Sequence, residues 1–221
     1  MKKFNFIKLS SLDFNLKSIT DDTGRVYTTP DGSKYKSVTT VLSNLNKKAI
    51  MEWRNRVGEE KANQISKTAS NRGTRLHGLC EQYLTNEITE FKYNTLMPDL
   101  KTMFNKIKHH LDEHIGNIYG IEQALYSKEL KIAGRCDCIA EWDNVLSIID
   151  FKTSSKEKKE DYILNYFLQC TAYALMFKEI TNIEINKIVI VISVENGDSQ
   201  IFIKDIAEYV DTLKNFVKMY T

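Results

Sequence analysis

Gly134-Arg135-Cys136-Asp137-Cys138-Ile139-Ala140 is followed, after a turn at Asp143-Asn144, by Leu146-Ser147-Ile148-Ile149-Asp150-Phe151-Lys152-Thr153-Ser154. Both stretches are rich in apolar and β-branched residues, and the short turn makes them neighbouring antiparallel strands. The second strand closes on a carboxylate, an apolar residue and an amine. A buried strand has no structural need for Asp and Lys there, because burying either charge unpaired is costly. Strand alternation sends Asp150 and Lys152 to one face and Phe151 to the other. Asp137, on the adjacent strand, is then close enough to Asp150 to share a cation.

Working outward, Ile121 to Ser127, Leu130 to Trp142 and Val145 to Phe151 form three consecutive strands. Lys156 to Glu179 reads as a helix, Lys187 to Val194 and Gln200 to Ile203 as strands, and Asp205 to Tyr220 as a closing helix. The helical crossover makes the third and fourth strands parallel. Upstream, Arg25 to Thr29 and Lys34 to Val41 flank a Pro30-Asp31-Gly32 turn as a hairpin. A helical stretch from about Asn46 to Thr85 breaks near Asn71-Arg72-Gly73, since Asn and Gly favour helix ends. Asp99 to Ile115 is a further helix. The expected fold is α/β: a central mixed β-sheet flanked by helices, with an N-terminal β-hairpin and helical additions. We read one domain over residues 1–221, with an extension over 1–66 and the core over 67–221.

Phosphodiester cleavage explains why these residue types occur together. Two carboxylates can hold Mg²⁺ or Mn²⁺, which prefer oxygen ligands. Lys152 can orient a water and stabilise charge on the phosphate. An Asp–Lys pair alone is more often a structural salt bridge. Glu122 sits among apolar neighbours in the first strand. It either joins the acidic cluster, holding a second metal or positioning the attacking water, or points to solvent from an edge.

The chain resembles the PD-(D/E)XK nuclease superfamily in its RecB-like branch, close in wording to the mitochondrial genome maintenance exonuclease group and similar phage exonucleases. The resemblance rests on Gly73-Thr74-Arg75-Leu76-His77, Gly134-Arg135-Cys136-Asp137, Asp150-Phe151-Lys152-Thr153-Ser154 and Gln169-Cys170-Thr171-Ala172-Tyr173, with Ser37 to Leu42 a weaker match. Cys136 stands where the superfamily has Pro, a position that RecB-like members vary. The resemblance implies a restriction-endonuclease-like αβββαβ core. It makes His77, Asp137, Asp150 and the Phe151 carbonyl the metal ligands. It also implies that Gln169 and Tyr173 position the lysine and the DNA backbone, and that Arg75, Thr153 and Ser154 belong to the DNA-contacting motifs. Glu81, four residues after His77, shares its helix face.

Net charge is only +2, but residues 46–75 carry eight basic and three acidic side chains. Such a stretch suits a phosphate backbone, although a solvated helix face is the commoner meaning of such a run. Trp53, close to Arg54 and Arg56, is a candidate for stacking on a base. The four cysteines, Cys80, Cys136, Cys138 and Cys170, show no CxxC pair, and none follows Cys170. No iron–sulfur cluster and no disulfide framework is expected. No apolar run is long enough for a bilayer, and the N-terminus lacks a signal-peptide core, so a cytoplasmic protein is expected. The Asn-, Lys- and Ile-rich wording suggests an AT-rich genome such as that of a phage or a low-GC bacterium. The functional expectation is a metal-dependent DNA exonuclease that prefers single strands. The alternatives are a duplex or branched-DNA nuclease of the same fold and a non-catalytic nucleic-acid-binding module.

Overall fold

The computed structural model describes residues 1–221. Three short strands open the chain, β1 (Lys17–Asp21), β2 (Gly24–Thr28) and β3 (Lys34–Ser37). Helices α1 (Val38–Leu42), α2 (Lys47–Val57), α3 (Glu59–Leu84), α4 (Glu90–Asn94) and α5 (Pro98–His114) follow. Next come β4 (Ile115–Ser127), β5 (Ile132–Trp142) and β6 (Val145–Ser154), then α6 (Leu164–Thr181), β7 (Lys187–Val194), β8 (Gln200–Asp205) and α7 (Val210–Lys218). All eight strands join one sheet, in the order β1-β2-β3-β5-β6-β7-β8 with β4 on the other edge of β5. The β4-β5-β6 meander is antiparallel, and β6 and β7 are parallel across the α6 crossover. The mixed sheet flanked by helices is therefore the fold the sequence led us to expect.

Apolar cores fill both faces of the sheet. On one face α6 buries Phe167, Leu168, Ala172, Met176 and Phe177 against Ile148, Ile190 and Ile192. On the other, Leu76, Leu79 and Tyr83 of α3 and Phe104, Ile107 and Leu111 of α5 cover Ile149, Phe151 and Val191. The alternation of Ile148, Ile149, Asp150 and Phe151 between these two faces is the period-2 pattern of a central strand. No helix is long and apolar enough to cross a membrane.

Several boundaries differ from expectation. The helical break lies at Gly58, whose φ of +86° suits a residue without Cβ, and α3 runs unbroken through Asn71-Arg72-Gly73. Burial of the α3 stripe from Leu76 to Leu84 overrides the local preference of Asn and Gly for helix ends. The expected boundary at 66/67 accordingly falls inside α3. The N-terminal hairpin is a three-stranded meander, because β1 precedes it; every β1 residue is exposed, so no alternation marked it. Its last strand stops at Ser37, whose hydroxyl accepts the Thr40 N–H and caps α1. Strand β4 begins at Ile115 rather than Ile121, with register shifts between Ile115 and Gly120. Helix α6 begins at Leu164, after a single 3₁₀ turn at Glu160–Tyr162.

Candidate active site

Strand β5 has three partners. Its full length pairs with β4 along one edge. Its other edge is divided: Ile132 and Ala133 pair with Lys36 and Ser37 of β3, and Cys138 to Trp142 pair with Ile149 to Val145 of β6. Residues 134–137 face neither, so the sheet forks there, and Asp137 stands in the opening. Its Oδ2 accepts the Phe151 N–H at 2.9 Å and lies 3.4 Å from His77 Nδ1. The fork lets groups from both sheet faces line one cleft. His77 enters from α3, while Lys152, Gln169 and Tyr173 enter from the α6 side.

Glu122 lies between Ile121, paired with Cys138, and Gln123, paired with Cys136, and so stands opposite Asp137. Its φ of +47° is the left-handed conformation, uncommon for a residue with a side chain. The Arg135 guanidinium donates to the Glu122 carbonyl at 2.9 Å. One ligand atom each from His77, Glu122 and Asp137 lie within 4.8 Å of one another. Glu122 thus stands beside Asp137 and His77 rather than at a solvent-facing edge. Burial, followed by the neighbouring Asp137 charge, pushes its carboxyl up to about 7.

Asp150 is 1% exposed. Its Oδ1 accepts the Gln169 amide at 3.0 Å, and its Oδ2 lies 2.5 Å from Lys152 Nζ. That contact pairs the buried carboxylate with the ammonium. Burial pushes Asp150 up to about 6 against the pull of Lys152. Burial also opposes the Lys152 ammonium, but Asp150 and Asp137 outweigh it, raise its pKa and keep it charged. Asp150 and Asp137 are thus linked through the Phe151 amide, with Lys152 beside one and His77 beside the other.

The donor set suits a hard divalent cation, with two carboxylates and an imidazole converging and a third carboxylate, paired with Lys152, buried close by. His77, Glu122 and Asp137 form the converging trio. Asp150 faces Lys152 and Gln169 instead. Phe151 packs its ring into the α3–α5 core. Tyr173 is buried against Gly134, where an added Cβ would come within 2.7 Å of the tyrosine ring.

Three expected contact residues lie elsewhere. Arg75 is two positions from His77, about 200° around the helix, and pairs with Asp99 at 2.7 Å on the far side of α3. Ser154 is buried and donates to the Lys156 carbonyl, holding the turn after β6. Thr153 is half-buried, and its hydroxyl is 3.9 Å from where a Cβ on Gly73 of α3 would stand. Conversely, Arg25 and Tyr27 of β2 line the cleft, and Tyr166 of α6 lies under Lys152. Nothing in the sequence marks the first two, because only the β3–β5 pairing carries the meander to the site. For Tyr166 a signal existed, its placement three residues before Gln169 on the same helix face.

Residues 49–195 match the family model of the PD-(D/E)XK nuclease superfamily. The chain belongs to this superfamily. The match runs from within α2 to the end of β7, which includes every residue of the fork apart from the N-terminal meander. Among curated proteins, the chain is 35% identical over 98 residues to mitochondrial genome maintenance exonuclease 1 of Xenopus tropicalis, covering 42% of this chain and 27% of that protein. It is 27% identical over 157 residues to mitochondrial genome maintenance exonuclease 1 of Homo sapiens, covering 66% of this chain and 44% of that protein. The chain thus spans less than half the length of these relatives. A solved structure from Eubacterium rectale, provisionally named an exonuclease, aligns over 67% of this chain and 64% of its own, with 10% identity and a TM-score of 0.48.

Proposed function

We propose that the chain is a metal-dependent DNA exonuclease that hydrolyses phosphodiester bonds from a free end and prefers single-stranded DNA. The observation that carries this reading is the convergence of His77, Glu122 and Asp137 at the fork, with the Lys152 ammonium lining the same cleft. The exonuclease names of the relatives support the reaction class. For the substrate, the support is the basic run on α2 and the start of α3. Helix α2 buries no residue, which leaves Lys47, Lys48 and Arg56 free to meet a phosphate backbone, while Arg54 is held by Asn63 and Glu59 of α3.

His77, Glu122 and Asp137 are the residues that would hold the metal, with Asp150 next to them. A divalent ion bound there supplies Lewis-acid polarisation of the phosphoryl oxygen and lowers the pKa of a water. Lys152 places a fixed positive charge where the phosphate gains negative charge. Asp150, itself held by the Gln169 amide, keeps that lysine in place. We assign the proton of the attacking water to Glu122 Oε. The ring of Tyr173 closes the cleft wall against Gly134.

The test is a gel assay with end-labelled single and double strands and covalently closed single-stranded circles, with Mg²⁺, Mn²⁺ or EDTA. Linear single strands should shorten progressively with metal and stay intact in EDTA, and circles should persist. Cutting of circles would make the enzyme an endonuclease. Binding without turnover on any substrate would make it a non-catalytic module.

A further inference from the structure

Lys152 is held on two sides. On one side is the Asp150 carboxylate, and on the other its Nζ lies 5.1 Å from the centroid of the Tyr166 ring. Its side chain is only 18% exposed, so little water competes for the charge. Tyr166 stands three residues before Gln169 on α6, and thus on the same helix face as the amide that holds Asp150. Burial raises its hydroxyl above the ordinary tyrosine value, which keeps the phenol neutral and leaves the ring face as the feature presented to the ammonium.

A lysine stem is flexible, and a single carboxylate partner fixes the distance of its ammonium but not its direction. Asp150 alone would let the charge swing around the carboxylate. A ring face attracts a cation through its quadrupole, most strongly where water is excluded. Resting on this ring, the Lys152 ammonium is confined to the wedge between Asp150 and Tyr166, the side from which it lines the cleft beside Asp137. We propose that Tyr166 is a positioning residue, whose aromatic face aims the Lys152 ammonium at the phosphate through a cation–π contact. This inference rests on the nuclease reading above and adds the element that orients its fixed charge.

Two measurements test it. In the metal-free protein labelled with ¹³C-lysine, the Lys152 ε-methylene, assigned by its disappearance in Lys152→Met, should be shifted upfield by the ring. Tyr166→Phe should keep that shift and Tyr166→Leu should abolish it. Under saturating metal, Tyr166→Phe should retain wild-type kcat within about twofold, while Tyr166→Leu should fall roughly tenfold in kcat with little change in KM. Replacing Tyr166 by phenylalanines of increasing fluorination should lower log kcat in proportion to the weakening of the ring quadrupole. A wild-type protein that cleaves, with a flat fluorination series and no upfield methylene, would overturn the role of Tyr166. A wild-type protein that cleaves nothing would instead remove the nuclease reading, leaving the spectroscopic result to judge the cation–π pair alone.

Discussion

Glu122 concentrates the cost of the site in one residue. It combines a left-handed backbone, a half-buried carboxylate and a neighbouring negative charge, the pattern of strain expected where structure is given up for chemistry. A carboxyl raised to about 7 in the fold and near 4.5 when unfolded loses stability as pH rises from below 4.5 through 7. In EDTA at pH 8, Glu122→Gln should therefore be more stable than wild type. The expected gain is about 1 kcal/mol after allowance for partial solvent screening, or roughly 2–4 °C in Tm. The difference should vanish at pH 4, and thermal melts at the two pH values check both signs. For the chemistry, Lys152→Ala and Asp150→Asn should lower kcat by about 10²-fold or more while DNA affinity is kept; full activity in either purified variant would contradict the role given to it. Asp150 and Lys152 stood out in the sequence because two charges at the end of a hydrophobic strand need partners, and Asp137 on the next strand set them apart from a simple salt bridge. Glu122 was legible only as an alternative, since its burial depends on a fork that no local pattern encodes.

Elements explain why some motif residues reach the cleft and others do not. Gly134 is required because the Tyr173 ring occupies the volume that a Cβ would need. Gly134→Ala should cost about 1–3 kcal/mol as the buried ring is displaced, and with it the alignment of α6 against β5. A lowered denaturation midpoint together with lowered kcat would be the expected pair of readings, and unchanged stability would show that the ring yields freely. The meander, the crossover and the parallel β6–β7 pair follow from strand composition and turn length. Helix boundaries were less legible. Gly58 and Gly73 look alike in sequence, and only packing of the Leu76–Leu84 stripe decides that one breaks the helix while the other does not. Arg75 belongs to the same short motif as His77, yet helical geometry turns it away from the cleft to Asp99.

At the scale of the whole molecule, the N-terminal meander and the basic helices are additions around the fork. Pairing of β3 with the first residues of β5 divides that strand's edge, which opens the sheet at Asp137 and brings Arg25 and Tyr27 to the rim. This pairing joins Lys36 to Ile132 and Ser37 to Ala133, far apart along the chain, so composition and periodicity carry no trace of it. Helix α2, which buries nothing, presents its charges to solvent. Reversing Lys47, Lys48 and Arg56 to Glu should weaken single-strand binding and flatten the slope of log affinity against log salt, by up to about 0.7 for each phosphate no longer neutralised. Melting temperature should stay near wild type, because these side chains support no core. An unchanged salt slope would place the strand on another surface.

The convergence of His77, Glu122 and Asp137 around one divalent ion is open to direct observation by anomalous diffraction at the manganese edge from crystals grown with Mn²⁺. The expected result is a peak in coordination range of the His77 imidazole and the Asp137 carboxylate, absent from crystals of Asp137→Asn. A fully occupied peak elsewhere, or none at saturating Mn²⁺, would contradict the assignment of this fork as a metal centre.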